Sequence, residues 1–144
     1  MRALIQRVSH ASVEVDQKIV GEIDTGLLVL LGIEKADTHH MVSSLVNRVL
    51  NYRVFPDQKK HMNLSLLDVQ GALLVVSQFT LVAATKKGTR PSFSSAADPV
   101  LAEELYDVFV SLTKEQCVIQ TGVFGADMQV SLTNDGPVTF LLES

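Results

Sequence analysis

The chain has 144 residues, one cysteine and a formal net charge of −4. That length suits a single domain, residues 1–144, which buries roughly 68–70% of its unfolded surface and needs no disulfide or metal to fold. The lone Cys117 excludes an intrachain disulfide and a cysteine-rich zinc site. The acidic balance excludes a broad footprint on duplex phosphates, which calls for a basic surface.

The first elements read as strands. Val13 and Val15 alternate with Ser12, Glu14 and Asp16, and Ile19, Gly21 and Ile23 follow beyond Gln17-Lys18. This is a hairpin with one buried face, turning at Gln17-Lys18. Leu27 to Ile33 is a near-continuous apolar run broken at Gly32, and predicts a strand buried on both faces. Thr38 or Asp37 caps a helix whose stripe is Met41, Val42, Leu45, Val46, Val49 and Leu50, and the segment from Asn51 to Pro56 ends it. Leu73 to Val76 predicts a second buried strand. Asp98-Pro99 opens another helix, a capping residue followed by proline at the first helical position, with Val100, Leu101, Leu105, Val108, Phe109 and Leu112 as its stripe. Val118 and Ile119 form a short strand after Cys117, which reads as a buried small hydrophobe. Met128, Val130 and Leu132, then Val138, Phe140 and Leu142, alternate on either side of Gly136-Pro137. Regular βαβ alternation is absent. The fold class is therefore α+β, with a curved, largely antiparallel sheet and two packed helices. No apolar segment has the form of a signal peptide or a membrane span, so the chain reads as soluble and cytoplasmic.

Two short stretches stand out. The buried strand at Leu73 ends in Ser77-Gln78-Phe79-Thr80, which places two hydroxyls, a carboxamide and an aromatic ring at the end of a rigid element. On the residues alone these are ordinary strand formers. Near the C-terminus, Gly136-Pro137-Val138-Thr139 interrupts a strand pattern and reads alone as a turn. No Ser/His/Asp pattern, HxxxH, CxxC or paired carboxylate is apparent, and His10, His39, His40 and His61 are scattered. The basic spots are local: Arg2 with Arg7, Lys59-Lys60-His61, and Lys86-Lys87 with Arg90.

Taken together, Ser77-Gln78-Phe79-Thr80 and Gly136-Pro137-Val138-Thr139 resemble the two signature motifs of the D-aminoacyl-tRNA deacylases. The opening Met1-Arg2-Ala3-Leu4-Ile5-Gln6-Arg7-Val8 and the central Gly88-Thr89-Arg90-Pro91-Ser92-Phe93 match in order, so the resemblance covers essentially the whole chain. It implies a barrel-like sheet and a homodimer with each active site at the subunit interface. It also implies hydrolysis of the ester of D-aminoacyl-tRNA, and of glycyl-tRNA, without an organic cofactor, and no residue is assigned to a metal. Ser77, Gln78, Phe79 and Thr80 would be the catalytic residues. Gly136 and Pro137, joined by a cis peptide, would bind substrate and reject L-amino acids, with Arg7 bracing them and Phe93 walling the pocket. The partner would be the acceptor end of tRNA, and no membrane is involved. Two routes to the ester stay open: attack by Thr80, which needs a base, or attack by a ribose hydroxyl or water with backbone N–H groups holding the oxyanion. A non-catalytic module that holds a tRNA end is the alternative function.

Overall fold

The computed structural model describes residues 1–144. The first strand, β1 (Arg2–Val15), buries Ala3 and Ile5, then Val8, then Ala11 and Val13. The alternation changes phase at Val8, where the ladder to the last strand is also irregular. Strand β2 (Lys18–Ile23) returns antiparallel to β1. The turn between them is Asp16-Gln17, one residue earlier than expected. Both residues have positive φ, 50° and 62°, as a two-residue hairpin turn that follows the strand twist requires. Strand β3 (Gly26–Gly32) pairs antiparallel with the first half of β1 and is buried on both faces as expected.

Helix α1 (His39–Asn51) is capped by the Thr38 hydroxyl, which accepts from the Met41 N–H. Asp37 is not the cap: its carboxylate accepts from the chain's N-terminal ammonium at 2.5 Å and from the Glu34 N–H. A small β4 (Phe55–Pro56) and β5 (Met62–Leu64) hairpin follows. Strand β6 (Ala72–Ser77) then lies parallel to β3, and a 3-10 turn (Phe79–Val82) ends it. Helix α2 (Pro99–Lys114) is capped by the Asp98 carboxylate, which accepts from the Val100 and Leu101 N–H groups. It leads to β7 (Ile119–Thr121), parallel to β6. Strand β8 (Gln129–Glu143) runs antiparallel along β1.

The sheet is antiparallel around β1 and parallel where the two helical crossovers join β3, β6 and β7. With β2 lying beside β7, it curls into a nearly closed barrel. On β3 and β6, Leu27, Val29, Leu31, Leu73 and Val75 face the helices and pack with Leu45, Val49, Leu105 and Phe109. Leu28, Leu74 and Val76 face the barrel interior with Val8, Ala11, Val13 and Ile23. Period-two alternation thus feeds two cores from one strand. Truncating Phe109, fully buried, to alanine should cost about 3–5 kcal/mol. Of the expected α2 stripe, Val100 is 77% exposed; it lies in the first turn beside the cap, and Tyr106 and Thr113 are buried on the helix instead. No helix is long and apolar enough to cross a membrane.

Candidate active site

Strand β6 delivers Ser77 and Gln78 to a cavity of about 480 Å³. Its wall is mostly apolar, formed by the end of β3, the start of α2 and the segment from Phe124 to Val130, with Ser77, Gln78 and Phe79 at its polar edge. Two contacts fix that edge. The Gln78 N–H donates to the Leu31 carbonyl at 2.8 Å, which ties the strand end to β3. Gly32 then lies flat against the 3-10 turn: a Cβ placed there would stand 2.8 Å from Val82 Cγ1 and 3.1 Å from the Gln78 carbonyl oxygen. The turn begins immediately, so the N–H groups of Phe79 and Thr80 are its first-turn donors, which the turn's own carbonyls do not satisfy. The Gln78 carboxamide donates to the Thr80 hydroxyl. A carboxamide is not a base, and no histidine lines the cavity. Phe79 is 61% exposed, and Phe93 stands against it with ring centroids 5.1 Å apart, an aromatic pair at the cavity mouth.

Gly136-Pro137 lies elsewhere. Gln6 pairs with Thr139 and Val8 with Asn134, so four residues of β8 stand opposite the single residue Arg7. Asp135 to Val138 therefore leave the ladder as a bulge, with Gly136 and Pro137 exposed and their peptide bond cis. Polar groups hold the bulge on both sides. Arg7, its side chain 11% exposed, donates from Nε to the Asp135 carbonyl at 2.8 Å and from Nη1 to the Val54 carbonyl at 2.6 Å. The Asn134 side chain accepts from the Val138 N–H at 2.6 Å and donates to the Val138 carbonyl and the Thr139 hydroxyl. Gly136 has φ +148°, and an added Cβ would meet Val138 Cγ2 at 2.6 Å and Arg7 Nη2 at 3.2 Å. Only glycine fits that position. The structure thus brings Ser77, Gln78, Phe79, Thr80 and Phe93 together, and gathers Arg7, Gly136 and Pro137 into a second group that lines no part of the cavity in the same chain.

Sequence reasoning missed the far wall, where Phe124, Gly125, Ala126 and Met128 complete the cavity. Small and apolar residues in a loop give no chemical signal. It also missed Tyr106, whose hydroxyl donates to the Val75 carbonyl at 3.0 Å and supports β6 from behind. Burial pushes that phenol up to about 12, with the nearby Asp107 charge adding to it. Cys117 is half-buried, and burial raises its pKa, so the thiol stays neutral. Asp68 is held below the usual carboxylate range by the Ser65 N–H and hydroxyl, a local turn remote from the site. No cluster of three His, Cys, Asp or Glu side chains is placed to hold a metal ion.

A mixed, nearly closed barrel with two helices on one side and a strand-end cavity defines a fold class that solved structures share. A chain described as "c-Myc DNA Unwinding Element Binding Protein" superposes with a TM-score of 0.96 at 42% identity, covering 100% of this chain and 99% of its own. A "probable eukaryotic D-amino acid tRNA deacylase" superposes at 0.87 with 17% identity, covering 99% and 98%, which shows the shared fold. The profile of the D-Tyr-tRNA(Tyr) deacylase family matches residues 4–143, and the chain belongs to that family. Relatives named D-aminoacyl-tRNA deacylase include one from Cellvibrio japonicus, 60% identical, and one from Pseudoalteromonas translucida, 59% identical, each covering 99% of both chains. One from Haemophilus influenzae is 57% identical over the same share. The enzyme class of this chain is accordingly that of the D-aminoacyl-tRNA deacylases.

Proposed function

We propose that residues 1–144 act as one catalytic domain that hydrolyses the ester of D-aminoacyl-tRNA and of glycyl-tRNA and rejects L-aminoacyl-tRNA. The observation that carries this reading is the pair of first-turn N–H donors at Phe79 and Thr80, where the chain leaves the polar edge of an apolar cavity. Preorganised donors aimed at a developing oxyanion contribute about 3–4 kcal/mol each. Thr80 has a carboxamide neighbour and no base, which favours attack by a positioned water or the adjacent ribose hydroxyl over attack by Thr80. Ser77 and Gln78 hold the turn, Phe79 and Phe93 flank the ester, and no cofactor is needed.

Chirality is read by Gly136 and Pro137 of a second copy. Their bulge projects from the surface, is braced by Arg7 and Asn134, and serves no cavity in its own chain. Seated on the partner's cavity, its main-chain carbonyls would face the substrate amino group and α-carbon. An L side chain would run into that main chain, a D side chain would point outward, and glycine would meet nothing. Selectivity by exclusion explains breadth across D-amino acids. The working unit is a cytoplasmic homodimer acting on the tRNA acceptor end.

The rival, a module that holds a tRNA end without cleaving it, is separated by turnover. Incubating substoichiometric protein with glycyl-tRNA should release many equivalents of glycine. Binding with no release beyond the spontaneous rate, from protein shown to be folded, would favour the rival.

A further inference from the structure

The chain has 16 acidic residues and places none between Asp68 and Asp98. That stretch builds β6, the 3-10 turn and the cavity mouth, and it carries Lys86, Lys87 and Arg90, a local charge of +3 on a chain of −4. All three lie on an exposed loop, residues 85–91. The other four arginines are committed to protein acceptors: Arg2 to Glu34, Arg7 to Asp135, Arg48 to the Glu143 carbonyl and Arg53 to Asn63. Arg90 is the one arginine with no acceptor in the chain.

The loop's stem is fixed to the cavity mouth. Ala84 and Ser92 exchange two backbone hydrogen bonds, 2.8 and 3.1 Å, and the Ser95 hydroxyl donates to the Val82 carbonyl at 2.6 Å. Phe93, one residue past the stem, is the ring that packs on Phe79. Gly88 turns the tip at φ +70° with open space around it. Half of such a loop reaches roughly 10 Å at about 3.3 Å per residue, before a lysine side chain is added. That span covers the phosphates of the last few nucleotides of a strand whose terminal ester sits in the cavity.

We infer that this loop is a phosphate clamp for the single-stranded 3′ end of the RNA substrate, an assignment that rests on the deacylase reading of the cavity. The clamp supplies affinity and salt dependence, and takes no part in the chemistry at the ester. Each single-strand phosphate contact contributes about −0.7 to the slope of log K against log salt, so three contribute about −2. Between 50 and 200 mM salt that is a roughly 20-fold loss of affinity due to the loop alone.

The test combines the triple variant Lys86→Gln, Lys87→Gln, Arg90→Gln with two substrates. Binding of uncharged tRNA, followed by fluorescence anisotropy across that salt range, should weaken in the variant, with a slope shallower by about 2. Hydrolysis of the D-tyrosyl ester of adenosine, which has no phosphate, should be unchanged, while kcat/KM on D-tyrosyl-tRNA falls about as far as binding does. An unaltered salt slope would overturn the clamp. An equal loss on the adenosine ester would also overturn it, because the loop would then belong to the cavity. Wild-type protein that binds tRNA with the full slope but cleaves neither substrate would keep the clamp and remove the deacylase reading.

Discussion

The two signature stretches are built in opposite ways. Ser77 to Val82 continues a strand whose residues Leu73 to Val76 are all buried, and it is tied by backbone contacts to β3 and backed by Tyr106. Asp135 to Val138 leaves the ladder, exposes Gly136 and Pro137, and is held by side chains, Arg7 from one side and Asn134 from the other. The first region has a cavity and donors but nothing to read a stereocentre. The second is a braced main-chain projection with no cavity to act on. A catalytic edge belongs on the core, where displacement is costly. A steric filter belongs on a projection that reaches another surface. Each lacks what the other has, and this is the physical argument for the proposal that the functional site lies between two copies.

The division of labour is put at greatest risk by Gly136→Ala. The added Cβ collides within the bulge at a φ that alanine avoids, and the filter and the site it completes should both fail. Deacylation of D-tyrosyl-tRNA should fall by about 100-fold or more, the scale of a misplaced reacting group, with the far-ultraviolet circular dichroism unchanged. Gly32→Ala attacks the other region: its Cβ presses on Val82 and the Gln78 carbonyl, and kcat should drop by roughly 10- to 100-fold as the donors shift. Mixing the two impaired chains sharpens the contrast. If each site joins one chain's cavity to the other's bulge, half the dimers regain one good site, and activity returns to about a quarter of wild type. No recovery after subunit exchange would place both elements of a site in one chain.

A smaller effect is expected from Thr80→Val, which removes the hydroxyl and keeps the N–H. Deacylation should stay within about 10-fold of wild type, since no base activates that hydroxyl. Complete loss in a folded variant would return Thr80 to the role of nucleophile. Alkaline pH probes the support behind β6. Tyr106 has a folded pKa of about 12, above its ordinary value of 10.0. Its contribution to stability is therefore full below pH 10 and is lost as pH rises toward 12, about 3 kcal/mol in all. Denaturant titrations at pH 9 and pH 12 should show that loss in wild type and much less of it in Tyr106→Phe.

Much of this was legible in the sequence, and the limits have physical causes. Leu27 to Ile33 and Leu73 to Val76 announced themselves as buried strands, and Asp98-Pro99 marked the start of α2 to the residue. The resemblance supplied the barrel, which local patterns do not show, because β2 meets β7 across most of the chain. The hairpin turn was misplaced by one residue because Asp16, which suits positive φ, is followed by Gln17 in place of the usual glycine. Alternation gave two strand segments on either side of Gly136-Pro137, which the structure joins as the single strand β8; it could not show four residues facing Arg7 alone, since register depends on the partner strand. The far wall of the cavity was invisible for a different reason: its residues contribute shape and carry no titratable or nucleophilic group.

The most direct measurement is deacylation of D-tyrosyl-tRNA and L-tyrosyl-tRNA side by side, with purified protein and a chelator present. Rapid release from the D form, with the L form decaying at its spontaneous rate, is the expected result. Equal release from both would contradict the steric filter, and no release from either by folded protein would contradict the activity itself.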